Sequence, residues 1–272
     1  MRTTTPELKK SFMETGLRKA LRGAAKLPFR AVGLEVTRRG RELDGWRYAD
    51  LSAADRETVR AVMPYTLTSV EAVCALTDAV RHVVAHDVEG DIVECGVWRG
   101  GSMAAAARTL AALKRFDRTL YLFDTFEGMP RPGERDVNFM GERAGDLYRR
   151  RNGRGGGSDW CRASEEEVSR VMSACGYDVS KIRLVKGRVE ETVPSRAPER
   201  ISILRLDTDW YESTRHALEH LFPRLSRGGV CIVDDYGHWR GAREAADEYF
   251  ARQTPGVYLH RVDYTVRCGV KM

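Results

Sequence analysis

Two apolar runs that stop abruptly at acids hold the chemistry of this chain. One is Leu204-Arg-Leu-Asp207-Thr-Asp209-Trp-Tyr-Glu-Ser-Thr214; the other is Val233-Asp234-Asp235-Tyr236-Gly237-His238. A buried parallel strand reads this way when it reaches the edge of its sheet where ligands sit. Carboxylates converging there repel one another unless a cation is present, and a hard, oxygen-seeking ion such as Mg²⁺ suits them. A single Asp is explained equally well as a cap on the next helix. Two acid groups about 25 residues apart, near the length of one strand–helix–strand repeat, favour a site over two caps.

Asp207 and Asp209 are two residues apart, so on a continuing strand they share a face. One can hold a metal while the other takes a proton. His238 follows the acid pair directly and reads as a substrate contact, an alternative base or a packed turn histidine. The pairs His216/His220 and His82/His86 are spaced four apart, as zinc ligands on a helix are, but no third ligand accompanies either.

A second group lies upstream. Glu94-Cys-Gly96-Val-Trp-Arg-Gly-Gly-Ser102 follows an apolar run, and its glycines let backbone approach a ligand closely. It is neither Gly-x-Gly-x-x-Gly nor a Walker loop, which disfavours a nicotinamide dinucleotide and a nucleoside triphosphate. Asp124 ends the next apolar run, where an acid can accept both hydroxyls of a ribose. Glu94 and Asp124 together suit a nucleoside without a pyrophosphate, such as S-adenosylmethionine, better than two helix caps.

The elements that position these residues alternate. Strands are expected at 91–95, 119–124, 182–186, 201–206 and 229–233, with helices between them, so the fold is α/β with a doubly wound, mostly parallel sheet. The tail at 257–262 and 265–271 reads as an antiparallel hairpin. Residues 1–63 read as a helical extension and possible oligomerisation arm, with Ser52 capping a helix start; residues 64–272 form the main domain. One long irregular segment, 128–164, interrupts the alternation, and about 130–160 are expected to form a mobile loop. It carries Arg149, Arg150, Arg151 and Arg154 beside Gly155-Gly-Gly157.

Composition narrows the classes. The net charge is +6, and residues 1–60 hold 14 Lys/Arg against 8 Asp/Glu, so the remainder is near neutral. That basic stretch lacks interleaved aromatics, which argues for a solvated face over nucleic-acid binding. No run of about 18 apolar residues exists, so no membrane span is expected. The six cysteines are scattered without a Cys-x-x-Cys pair, as in a cytoplasmic protein with reduced thiols.

The residues so assembled resemble the macrocin O-methyltransferase family, whose members methylate deoxysugars of antibiotics. The matching stretches are Gly90–Ser102, Leu122–Pro130, Lys186–Pro194, Leu204–Thr214 and Gly228–His238, which with their connections cover roughly 64–271. The resemblance implies a class I methyltransferase fold, S-adenosylmethionine and Mg²⁺. It implies that Asp207, Asp234 and Asp235 bind metal and that Asp209 is the base. Glu94, Gly96 and Ser102 match the loop at the methionine side of the cofactor, and Asp124 the ribose acid. Gly187 to Val189 match the loop beside adenine, and Thr66-Leu-Thr68-Ser69 a segment closing over the cofactor. Relatives often carry an arginine where this chain has Ala72. They are dimers or larger, so a homodimer or higher homo-oligomer is expected, with a small-molecule glycoside as partner. Three metal-bound carboxylates leave about three of six octahedral positions, enough for two neighbouring substrate hydroxyls. Methylation of an aromatic diol is the alternative, and a nucleic-acid-binding methyltransferase a weaker one.

Overall fold

Residues 201–206 read as one unbroken buried run, and they form the centre of the sheet. A strand buried on both faces needs cover on both, which parallel crossovers supply by laying helices on each side. The computed structural model describes Leu43 and residues 48–152, 159–253 and 257–272. The chain divides into two units, 1–51 and 52–272. Most of the expected N-terminal arm lies outside the described residues.

In the second unit, α1 (Ala53–Val62) and α2 (Val70–Ala85) precede β1 (Asp91–Cys95). Next come α3 (Gly101–Ala112), β2 (Leu120–Asp124), α4 (Ala144–Asn152), α5 (Glu165–Ser173) and β3 (Ile182–Lys186). The short α6 (Val189–Thr192), β4 (Ile201–Leu206), α7 (Tyr211–Leu221), β5 (Leu225–Val233) and α8 (Arg240–Phe250) follow. The antiparallel strands β6 (His260–Arg261) and β7 (Arg267–Val270) close the unit.

The sheet order is β3-β2-β1-β4-β5-β7-β6, with β1 to β5 parallel and β7 antiparallel to β5. On one face Val93, Cys95, Leu204, Leu206, Cys231 and Val233 pack with Leu218, Leu221 and Phe250 of α7 and α8. Each such fully buried Leu contributes about 1.5–3 kcal/mol. The helices α2 and α3 pack on each other, and α2 also packs against β4 and β5.

Helix starts follow their capping residues. Ser52 accepts from Asp55 N at 3.1 Å, Ser69 from Ala72 N at 3.0 Å and Ser164 from Glu167 N at 3.2 Å. Each bond satisfies one of the orphan donors of a first turn. The compact second unit begins at Ser52 and so includes α1. Its Glu57 pairs with Arg108 of α3 at 3.0 Å.

Three expectations need revision. β5 starts at Leu225, four residues early, and β6 spans only two residues. The segment 128–164 is not wholly irregular, since it contains α4. Asp146 sits in the first turn of α4 and Arg149, Arg150 and Arg151 in its last, as the helix dipole favours. Leu147 packs against a buried cluster of Trp210, Trp239 and Ala242, which gives that short polar helix its anchor. Arg154 and the glycine run lie outside the described residues.

Candidate active site

The C-terminal ends of β1, β4 and β5 bring four of the expected acids together. Glu94 on β1 lies beside Arg205 on β4 in the strand register, and Asp207 follows two residues after Arg205 on the same side. Asp234 continues β5, its N–H donating to Leu206 O at 2.8 Å. One carboxylate oxygen each from Asp207, Asp234 and Asp235 lies within 4.8 Å of the others.

Arg205 is the residue that sequence reasoning missed. It is 3% exposed and touches three acids. One terminal nitrogen donates to Glu94 Oε1 and to Asp207 Oδ2, the latter at 2.7 Å. The other stands 2.8 Å from Asp234 Oδ1, a charge contact without hydrogen-bond geometry. The signal was present, since an arginine inside a run as apolar as 201–206 must be paired when buried.

Charge balance explains the electrostatics. Burial pushes the Glu94 carboxyl up to about 8, opposed by the Arg205 charge and helped by repulsion from Asp207 and Asp234. Burial likewise pushes Asp234 up to about 7, again against Arg205. Asp209 and Asp235 are raised well above the usual carboxylate range, by burial first and then by neighbouring acids. Five acids therefore crowd one guanidinium, and Asp235 Oδ2 is buried without a hydrogen-bond partner. An acceptor-only donor set with unbalanced charge and an orphaned oxygen fits a hard divalent cation.

Asp209 leaves the strand at φ +61°, and its Oδ1 accepts from Trp239 Nε1 at 2.7 Å. Trp239 belongs to a cluster of edge-to-face or tilted indoles with Trp210 and Trp160. Trp239 thereby orients the expected base. His238 packs against the Trp239 ring, 4.9 Å between centroids, with its Nδ1 3.2 Å from the Tyr264 hydroxyl. Burial lowers its pKa. Cys161 borders the same acids; burial and then Asp209 and Asp207 push its thiol up to about 12, so it stays protonated.

Of the expected cofactor residues, Glu94, Gly96 and Asp124 lie at the ends of β1 and β2. Gly96 has φ +82°, and a Cβ there would stand 1.9 Å from Asp207 O, so only glycine fits. Ser102 is buried in the first turn of α3, and Val189 is buried at the start of α6. Asp124 ends β2 as expected, but its oxygens already have partners. Oδ2 accepts from Val97 N at 2.8 Å and Trp98 N at 3.0 Å. Oδ1 accepts from Phe126 N at 2.8 Å and from the Thr125 hydroxyl. Its first task is thus to shape the two turns, and a ribose would have to share these lone pairs. Thr68 differs similarly: its hydroxyl donates to Asp234 Oδ1 at 3.1 Å, tying the expected closing segment to the metal acids.

Asp136 was also unanticipated. It is 2% exposed, and it accepts from Gly133 N at 2.7 Å and from Tyr211 N at 2.9 Å. It thereby fastens the 128–164 segment to the first turn of α7. Neither histidine pair belongs to a group of three potential metal ligands among the described residues, and His82 and His216 each bond a backbone carbonyl. Among the described residues, the metal-like grouping is the aspartate set alone. A polar cavity of about 600 Å³ lies around Asp91, Arg118 and Arg200, at the opposite edge of the sheet from these acids.

Comparison with known proteins agrees with this arrangement. Residues 27–268 match the family described as Macrocin-O-methyltransferase (TylF). The demethyldecarbamoylnovobiocin O-methyltransferase of Streptomyces niveus is 35% identical over 69% of this chain and 68% of its own. The mycinamicin III 3''-O-methyltransferase of Micromonospora griseorubida is 32% identical over 68% and 70% respectively. The solved structure of the O-methyltransferase NovP covers 76% of this chain and 82% of its own, at 32% identity and a TM-score of 0.67. The calicheamicin methyltransferase CalS11 shares the fold, at 20% identity over 84% of this chain and 93% of its own, with a TM-score of 0.55.

Proposed function

This chain belongs to the macrocin O-methyltransferase family and is an S-adenosylmethionine-dependent O-methyltransferase; on that premise we propose that its acceptor is a sugar hydroxyl of a glycoside and that it needs Mg²⁺. The observation that carries the metal reading is the aspartate triplet Asp207, Asp234 and Asp235 with its orphaned Asp235 Oδ2. These three residues would hold the ion. When bound, it would supply charge that eases loss of the acceptor's hydroxyl proton and fix that oxygen in line with the methyl group.

The remaining work belongs to the chain's own side chains. Asp209 takes the hydroxyl proton, with Trp239 Nε1 holding its Oδ1. A carboxylate near a cation is a weakened base, so acidification of the hydroxyl and the high intrinsic pKa of Asp209 act together. Gly96 and Ser102 line the methionine end of the cofactor, Asp124 the ribose side and Val189 the adenine side, while Glu94, 1% exposed, is bonded to Arg205. Thr68 closes over them from the segment before α2.

An apolar rim supports a glycoside over a charged sugar nucleotide. Phe139 is 60% exposed, Met140 71% and Tyr264 52%. The Phe139 ring stands 5.2 Å from His238 and 5.8 Å from Tyr264. Exposed apolar side chains grouped beside the acids suit an apolar aglycone. His238, between this rim and the acids, contacts the acceptor. No helix of the described residues is long and apolar enough to cross a membrane, and we place the enzyme in the cytoplasm as a homodimer or higher homo-oligomer.

Labelled methyl transfer to a panel of antibiotic glycosides, a sugar nucleotide and a catechol tests both parts. The expected result is turnover of a glycoside, lost in excess chelator and restored by Mg²⁺. Full turnover in chelator overturns the metal reading, and a preference for catechol overturns the acceptor class.

A further inference from the structure

We infer that Arg205 is a positioning residue for the divalent cation, selecting which oxygen of Asp207 and of Asp234 faces it. The inference rests on the metal reading above. Five carboxylates meet at this sheet edge, and an unrestrained cluster would rotate its side chains apart to relieve repulsion. Arg205 prevents this from below. Its fork engages Asp207 through Oδ2 at 2.7 Å and Asp234 through Oδ1 at 2.8 Å. Thr68 takes the same oxygen of Asp234, at 3.1 Å. The second oxygen of each carboxylate, Asp207 Oδ1 and Asp234 Oδ2, receives no hydrogen bond from the guanidinium and is left for the ion.

Glu94 completes the device from the far side. At 1% exposed it is too deep to be a direct ligand beside the half-exposed Asp207. Its Oε1 accepts from the nitrogen that also serves Asp207, which fixes the guanidinium plane. The pairing is set by strand register, Glu94 on β1 lying opposite Arg205 on β4. A planar guanidinium can serve three acids at fixed angles, whereas a lysine ammonium is a single point charge.

The test separates position from charge. With Glu94 in its ionised form, paired with Arg205, Glu94→Gln with Arg205→Met removes one negative and one positive charge, so the net charge facing the ion is unchanged. Replacing a buried ion pair by neutral side chains of similar size is often tolerated. Mn²⁺ binding, followed by electron paramagnetic resonance, is then compared between the wild-type chain and this double variant. The unfolding midpoint in chelator serves as the check on folding. The expected result is a folded double variant with Mn²⁺ affinity lowered about 10- to 100-fold, the range for losing a partner that orients a metal ligand. Arg205→Lys, which keeps the charge, is the second variant if the double one does not fold. It is expected to bind Mn²⁺ about tenfold more weakly at an unfolding midpoint close to wild type. Wild-type Mn²⁺ affinity in the folded double variant, or in Arg205→Lys, overturns the assignment to Arg205 alone. No Mn²⁺ binding by the wild-type chain overturns the metal reading and this inference with it.

Discussion

Replacing Trp239 by Phe asks whether Asp209 is the base. The substitution removes the indole N–H that stands 2.7 Å from Asp209 Oδ1 and keeps an aromatic ring against Trp210, whose centroid is 5.0 Å away. That bond favours the ionised carboxylate, opposing the burial and the Asp207 repulsion that raise its pKa. A hydrogen bond to a charged group contributes about 1.5–3 kcal/mol, and one pKa unit corresponds to about 1.4 kcal/mol. Its loss should raise the Asp209 pKa further. The sign follows directly: a base protonated up to a higher pH moves the acid limb of the kcat profile to higher pH. At a fixed pH on that limb, turnover falls about 10- to 100-fold. On the alkaline plateau it recovers much of its value, because the carboxylate is ionised there in both proteins. The assay is methyl transfer at saturating donor, acceptor and Mg²⁺ across the pH range. An acid limb that stays in place would refute the reasoning and move the proton to His238, which receives no bond from the Trp239 N–H.

Other substitutions separate the neighbouring roles. Asp234→Asn should weaken Mn²⁺ binding by at least about tenfold while S-adenosylhomocysteine affinity changes little, since the cofactor acids sit on β1 and β2; equal losses for both ligands in calorimetry would merge the two sites. Gly96→Ala places a Cβ 1.9 Å from Asp207 O at φ +82°, and should lower the unfolding midpoint and abolish cofactor binding, because the backbone must shift by about 1 Å. A wild-type midpoint would mean that the turn is far softer than its geometry. Phe139→Ala should raise acceptor KM about 5- to 150-fold with kcat and cofactor affinity near wild type, as expected of about 1–3 kcal/mol of apolar contact; an unchanged KM would remove the rim from the acceptor site.

The parts of this protein legible along the chain are those that local chemistry dictates. Apolar runs ending in acids marked the parallel strands and their ligand edge, because a strand buried on both faces carries polar groups before it emerges only where they are paired. Ser52 announced a helix start through a bond made within three residues. Gly96 announced a close approach without naming its neighbour, and the resemblance supplied the family. The tertiary structure decided which group meets which. Arg205 looked like an intruder in an apolar strand until the register set it opposite Glu94 and below Asp207 and Asp234. Asp124 stood where a ribose acid belongs, yet the turns after β1 and β2 fold back onto both its oxygens. The short helix α4 was hidden because its stability comes from Leu147 against distant tryptophans and not from its own polar sequence. Periodicity and capping act over a few residues and are written in order, whereas the partners of a buried charge come from strands and turns many residues apart.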